Sequence, residues 1–233
     1  KINNRIPALH LSHDYTGASR LSSFYLEPDY RCNFYDQLLS KSRLLFMACF
    51  PERFASTTIA EMKGVINNKG VSPFWEAVGR HFFTMDFDDA DLLTTSSNKH
   101  FIANLMPRYP LYVPLLSAAA QAVIGEHHEG VEDIVNILEH EGLHFEGHVD
   151  IFDAGPILEV RTRHLRAIRH AEHAQALLGD EVLRGKRVLV CNNSCLDFRC
   201  IIARKPSSAL VLSEAQLEAL QVVSGNTLTY CPL

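Results

Sequence analysis

The sequence has no apolar run long enough to cross a membrane. Its longest unbroken apolar stretch, residues 44–50, is a fraction of what a bilayer requires. It also lacks an excess of positive charge: 22 Lys and Arg stand against 27 Asp and Glu, a formal charge of −5, so the basic footprint of a nucleic-acid-binding protein is missing. Residues 1–8 hold no apolar signal core and do not read as a secretory peptide. With Lys1 in place of Met, the chain reads as a processed product or a piece of something longer. There is no internal repeat and no low-complexity tract. The 6 cysteines are irregularly spaced, and a chain this long needs no disulfide staples. Cys191 and Cys195 lack CxxC spacing, which argues against a zinc site. The cysteines therefore read as reduced thiols in a cytoplasmic protein with no metal.

What remains is an ordinary globular composition. Across 233 residues, 47% are hydrophobic and 21% charged, which excludes wholesale disorder and allows one large domain or a medium domain with a small one. Residues 21–26 read as a strand stopped by Glu27-Pro28-Asp29. Residues 38–54 carry apolar side chains at helical spacing. A strand at 57–65 ends in a turn at Asn67-Asn68-Lys69-Gly70, and Ser72-Pro73 then caps and opens a helix through Trp75 to Phe82. Helices are expected at 88–93, 98–106, 117–124 and 131–140, and a further polar helical stretch around 165–179. From about Gly185 the composition changes to short strands at 187–190, 198–203, 210–212 and 227–230. A single helix at 213–220 interrupts them, with Ser213 and Gln216 as a capping box. This predicts two parts: residues 1–184, and a small β-rich module over 185–233.

His140-Glu141-Gly142-Leu143-His144 matches the HExxH pattern of zinc proteases, in which one helix carries both histidines to one ion. The helical period stops at His140, Gly142 stands where a left-handed terminator belongs, and alternation follows over 143–152. His144 and His148 would then lie on one strand face about 13 Å apart, too far to share a metal.

The order Phe24-Tyr25-Leu26-Glu27-Pro28-Asp29-Tyr30-Arg31 followed by an apolar helix resembles the acyl-CoA site of acyl-CoA N-acyltransferases. Longer strings carry a narrower resemblance, to the arginine N-succinyltransferase family. They include Ser12-His13-Asp14-Tyr15-Thr16-Gly17, Leu38-Leu39-Ser40-Lys41-Ser42-Arg43, Ser72-Pro73-Phe74-Trp75-Glu76, Gly79-Arg80-His81-Phe82-Phe83 and Asp150-Ile151-Phe152-Asp153-Ala154-Gly155-Pro156. The resemblance implies an α/β fold, with an acyl-CoA N-acyltransferase-like mixed sheet and flanking helices. It also implies transfer of succinyl from succinyl-CoA to the α-amine of L-arginine, the coenzyme thioester being a substrate and not a resident cofactor. Phe24 is then the acyl-CoA contact, with Tyr25, Leu26 and Arg31 beside it. The proton donor maps onto His128; without the resemblance, His127 and His128 read as solvated loop residues between Glu126 and Glu129. Histidine suits the role because its ordinary pKa lies near neutrality. Asp14, Glu61 and Asp86 are candidates for guiding the cationic substrate.

Three departures from the family stand out. Phe34 and Asp36 occupy the glycine positions of the phosphate loop, where backbone must approach a polyanion. Arg20 and Asn104 stand where the family tends to have Glu, either weakening arginine recognition or as surface exchanges. The family's N-terminal stretch ahead of Leu11 is nearly absent, so a missing segment or another chain is expected to complete the sheet. The alternative reading is therefore an altered or non-catalytic subunit that forms a homo- or hetero-oligomer with a complete partner.

Overall fold

The computed structural model describes residues 5–31, 34–83, 85–87, 89, 109–180, 184–205 and 209–233. The helices expected at 88–93 and 98–106, and Asn104, fall outside these residues apart from Asp89. In chain order the strands are β1 (Ala8–Leu9), β2 (Ser19–Leu21), β3 (Thr57–Glu61), β4 (Leu111–Tyr112), β5 (His144–Val149), β6 (Pro156–Arg161), β7 (Glu172–Leu178), β8 (Lys186–Cys191), β9 (Cys200–Lys205), β10 (Leu210–Leu212) and β11 (Thr227–Pro232). The described α-helices are α1 (Tyr35–Cys49), α2 (Pro73–Ala77), α3 (Gly79–Phe83), α4 (Ala118–Gln121), α5 (Glu132–His140), α6 (Arg166–Arg169) and α7 (Glu214–Leu220).

Two compact units divide the chain. The first comprises Lys1–Arg20, Ile59–Val135 and His144–Glu159, and the second Leu21–Thr58, Asn136–Leu143 and Val160–Leu233. A four-stranded sheet runs in the order β2-β3-β6-β5. Along β6 the residues alternate, with Pro156, Leu158 and Val160 buried and Ile157, Glu159 and Arg161 more open, so the sheet has one packed and one partly open face. In the first unit, Trp75 lies among Phe83, Phe87 and Phe152 and donates its indole N–H to the Met85 carbonyl at 3.2 Å. The helix expected from Trp75 to Phe82 breaks at Val78 into α2 and α3. Gly79 accepts the indole ring on its bare Cα: a Cβ there would fall 2.0 Å from a ring carbon.

In the second unit, a five-stranded sheet runs β10-β7-β11-β8-β9. Ala176, Val188, Val190, Ala203, Leu210, Leu212, Leu217, Leu220 and Leu228 form its core beneath α7. Ser213 accepts from the Gln216 amide and the Gln216 side chain returns to the Ser213 amide, the capping box read from the sequence. The β-rich module expected from residue 185 is built together with β7, which precedes that residue.

Two expected elements differ. The polar helix around 165–179 is helical only over Arg166–Arg169; Glu172–Leu178 is a strand, parallel to β10 and antiparallel to β11. Its Ala, Gln and Leu favour helix locally, but ladder bonds on both edges override that preference. The strand expected over 21–26 ends at Leu21, because Ser23 takes a left-handed conformation (φ 57°) that ends the ladder.

The zinc motif resolves as structure. α5 ends at His140, Gly142 has φ 105°, and His144 opens β5, whose register shifts between Phe145 and Val149 around Gly147 (φ 91°). Glu141 is buried, pairs with buried Lys41 at 2.9 Å and accepts from the Ala167 amide at 2.7 Å. Among the described residues no group of three or more His, Cys, Asp or Glu is placed to hold a metal, and Cys49, Cys191, Cys195, Cys200 and Cys231 are free thiols.

Candidate functional site

His128 is held by its backbone and by one ring nitrogen. Its amide donates to the Lys63 carbonyl at 2.8 Å, and neighbouring His127 bridges Gly64. Gly64 is in turn fixed by Asp153, a buried carboxylate that accepts from the Gly64 amide at 2.7 Å and the Gly155 amide at 2.8 Å. The 150–156 string thus has a job the sequence did not disclose: it anchors the strand end from which the histidine loop hangs. His128 also caps the short 3-10 turn Glu129–Val131, its Nδ1 accepting from the Gly130 amide at 2.9 Å. An Nδ1 that accepts leaves the ring proton of the neutral form on Nε2. The ring is half-buried, with one nitrogen engaged, in a loop whose backbone is tied to Lys63.

The three candidate carboxylates have separate partners. Asp14 is exposed and faces His148 Nε2 at 3.2 Å; hydrogen bonds from Ser12 and His148 hold its carboxyl below the ordinary value. Glu61 pairs with Arg20 at 2.8 Å. Asp86 joins Glu76 on Arg80, at 2.7 and 2.8 Å. Glu61 and Asp86 thus each already hold a guanidinium. Arg20 does so from a position where the resemblance leads one to expect an acid.

Sequence reading missed a network on the open face of the four-stranded sheet. The Tyr15 hydroxyl donates to Glu159 and lies 2.8 Å from His148 Nδ1, whose other nitrogen meets Asp14. Burial, then the Glu159 carboxylate, push the Tyr15 phenol well above its ordinary value. Nearby, burial and then the Asp153 carboxylate raise Asp150 to about 7, although it accepts from the Phe152 amide at 2.7 Å.

The acyl-CoA segment lies wholly in the second unit. Phe24 is half-buried and lies outside any strand, where a strand was expected. Tyr25 is 66% exposed and its hydroxyl donates to Glu27 at 3.0 Å. Leu26 lines a groove of about 350 Å³ with Tyr30, Tyr35, Leu38, Phe198 and Cys200. The exposed Arg31 donates from Nε to the Leu26 carbonyl at 3.1 Å, folding the loop back on itself. Phe34 sits at the N-terminal cap of α1 with φ 69°, the conformation in which glycine is least strained. Its ring faces Arg187, whose Cζ is 4.3 Å from the ring centroid, so a second cation stands by the start of α1. Asp36 occupies the first turn of that helix.

Comparison with known proteins follows the same lines. The family model described as arginine N-succinyltransferase beta subunit matches residues 1–167. Arginine N-succinyltransferases from Salmonella typhi and Escherichia coli are 42% and 41% identical over 228 residues, covering 97% of this chain. The chain spans 66% of the length of these curated relatives. The solved structure of arginine/ornithine succinyltransferase subunit AI from Pseudomonas aeruginosa superposes with a TM-score of 0.87 at 37% identity, over 98% of this chain and 67% of that one.

Proposed function

The chain belongs to the arginine N-succinyltransferase family, with that family's mixed α/β acyltransferase fold, and from this we propose that it transfers succinyl from succinyl-CoA to the α-amine of L-arginine. The observation that carries the reading is the oriented His128. Its Nδ1 is engaged by the Gly130 amide, so Nε2 holds the proton that acyl transfer has to move.

Amine nitrogen attacks the thioester carbonyl carbon, the C–N bond forms, and the C–S bond breaks. Net, one proton passes from the attacking nitrogen to the departing sulfur. His128 Nε2–H donates a hydrogen bond to the departing sulfur, and the proton lost by the attacking nitrogen ends on that sulfur as the thiol leaves. The coenzyme's diphosphate is received by the first amides of α1, with Arg31 and Arg187 as cations at that end. Leu26 and the groove beside it take the uncharged pantetheine arm, and Phe24 stands by the acyl group. The acidic side chains on the open sheet face, Glu61 among them, attract the cationic acceptor.

The second reading, an altered subunit working beside a complete partner, draws on Phe34 and Asp36, which add bulk and negative charge where phosphate approaches. Among the described residues no helix is long and apolar enough to cross a membrane. The proposed setting is the cytoplasm, a reducing compartment that suits irregularly spaced cysteines.

The test is release of free CoA thiol from succinyl-CoA by the full chain, with L-arginine or ornithine as acceptor, and mass analysis of the product. Acceptor-dependent release that yields succinylarginine and is lost in His128→Ala is the expected result. Absence of release with either acceptor favours the second reading.

A further inference from the structure

The acyl-CoA segment is backed by a cation that lacks a counter-charge among the described residues. Arg43, on α1, donates from Nη1 to the Ser22 carbonyl at 3.2 Å, and its Cζ stands 5.5 Å from the centroid of the Phe24 ring. Its Nε is buried without a hydrogen-bond partner. Three other arginines answer to acids, Arg20 to Glu61, Arg80 to Glu76 and Asp86, and Arg199 to Asp197, whereas the more open Arg31 and Arg204 settle on carbonyls in reach of water. Among the described residues Arg43 has no such carboxylate, and burial holds its guanidinium below the ordinary value while leaving it charged. A partly buried guanidinium satisfied by one carbonyl is costly unless an anion completes it.

The chemistry of the thioester says which anion, if the proposed function holds. Arg43 lies eight residues beyond Tyr35, about 12 Å along the helix from the end that receives the diphosphate. The 3′-phosphate belongs to the adenosine, further out still. The pantetheine arm is uncharged. At the level of Phe24 the only negative charge the donor brings is the free carboxylate of its acyl group.

We propose that Arg43 receives that terminal carboxylate and so makes the site selective for succinyl over neutral acyl groups. Among the described residues the Ser22 carbonyl is the hydrogen-bond acceptor that meets this guanidinium's donors, and a planar cation of this kind suits a carboxylate. A neutral acyl group of the same length would leave those donors unpaired, and this is the kind of mismatch that discriminates strongly.

Calorimetric titration without arginine tests this. The wild-type chain, Arg43→Gln and Arg43→Lys are each titrated with succinyl-CoA and with butyryl-CoA, whose acyl group has the same carbon count but ends in a methyl. Wild type should prefer succinyl-CoA by about 10- to 100-fold. Arg43→Gln should lose that preference by weakening succinyl-CoA alone, and Arg43→Lys should keep part of it. Equal wild-type affinity for the two thioesters overturns the proposal. So does an Arg43→Gln chain that weakens both alike, which marks a packing role, or one that keeps the preference. A wild-type chain that binds neither thioester strikes the proposed function itself, and this inference with it.

Discussion

The Gly130 amide reaches His128 Nδ1 at 2.9 Å, and it does so because residue 130 has no side chain: a Cβ there would stand 3.0 Å from the same nitrogen. The histidine's orientation therefore depends on a glycine two residues away. Gly130→Ala should turn the ring and lower kcat by about tenfold while leaving KM for succinyl-CoA unchanged. His128→Ala should lower kcat by roughly 10²- to 10⁴-fold. Steady-state kinetics on both variants checks this; an alanine at 130 with full kcat removes the orienting role.

Glu61 is occupied by Arg20 at 2.8 Å on the open sheet face, and both side chains are partly exposed. Such a pair is weak and exchangeable. Arg20→Ala should free the carboxylate and lower KM for arginine by about 2- to 5-fold, and Glu61→Gln should raise it by about tenfold. If both substitutions leave KM where it was, Glu61 does not meet the substrate.

At Phe34 a left-handed phenylalanine costs about 1–2 kcal/mol in backbone strain, offset in part by the contact with Arg187, worth about 0.5–1 kcal/mol. Phe34→Gly should therefore move stability by no more than about 1.5 kcal/mol, while tightening succinyl-CoA binding by about 3- to 10-fold as the backbone gains room beside the diphosphate. Unchanged affinity in a titration of this variant would show that the phosphates go elsewhere.

The buried Lys41–Glu141 pair predicts a large effect from a single change. Lys41→Met leaves Glu141 charged and uncompensated and should cost about 3–5 kcal/mol in chemical denaturation. Lys41→Met with Glu141→Gln should recover most of that, because no charge is left inside and the glutamine oxygen still accepts from Ala167.

Asp150 gives the pH dependence. Its carboxyl is raised from 3.8 to about 7 in the folded chain, first by burial and then by Asp153. Between those values the folded state holds a proton that the unfolded chain has released, so the contribution is full below pH 3.8 and is lost as pH rises through about 7. Melting temperature should fall from roughly pH 5 to roughly pH 8, and Asp150→Asn should flatten that fall. An equally steep slope in the variant assigns the effect to another group.

What could be read from the sequence was what local chemistry decides. Ser72 and Ser213 cap helices because a hydroxyl reaches an amide three residues on, and Gly142 stops α5 because the chain there needs a positive φ. That glycine, with the end of the helical period at His140 and the alternation that follows, is what argued against a shared-helix HExxH site. β7 was misread because its helix-favouring residues yield to partners far along the chain: Gln175 sits opposite Thr227 and Ala176 opposite Leu210. The candidate site was legible as residue names, not as partnerships. Nothing near Asp153 in sequence says that it holds the histidine loop, nor does Tyr15 announce Glu159. The missing counter-ion of Arg43 is a property of packing and leaves no mark on the string of letters.

The account rests on the backbone from Phe24 to Leu38 still accepting a coenzyme although phenylalanine and aspartate stand at its glycine positions. Isothermal titration of the full chain with succinyl-CoA measures that directly. One saturable site per chain, tightened in Phe34→Gly, is the predicted result; heats of dilution alone, across the whole titration and in both proteins, would contradict it.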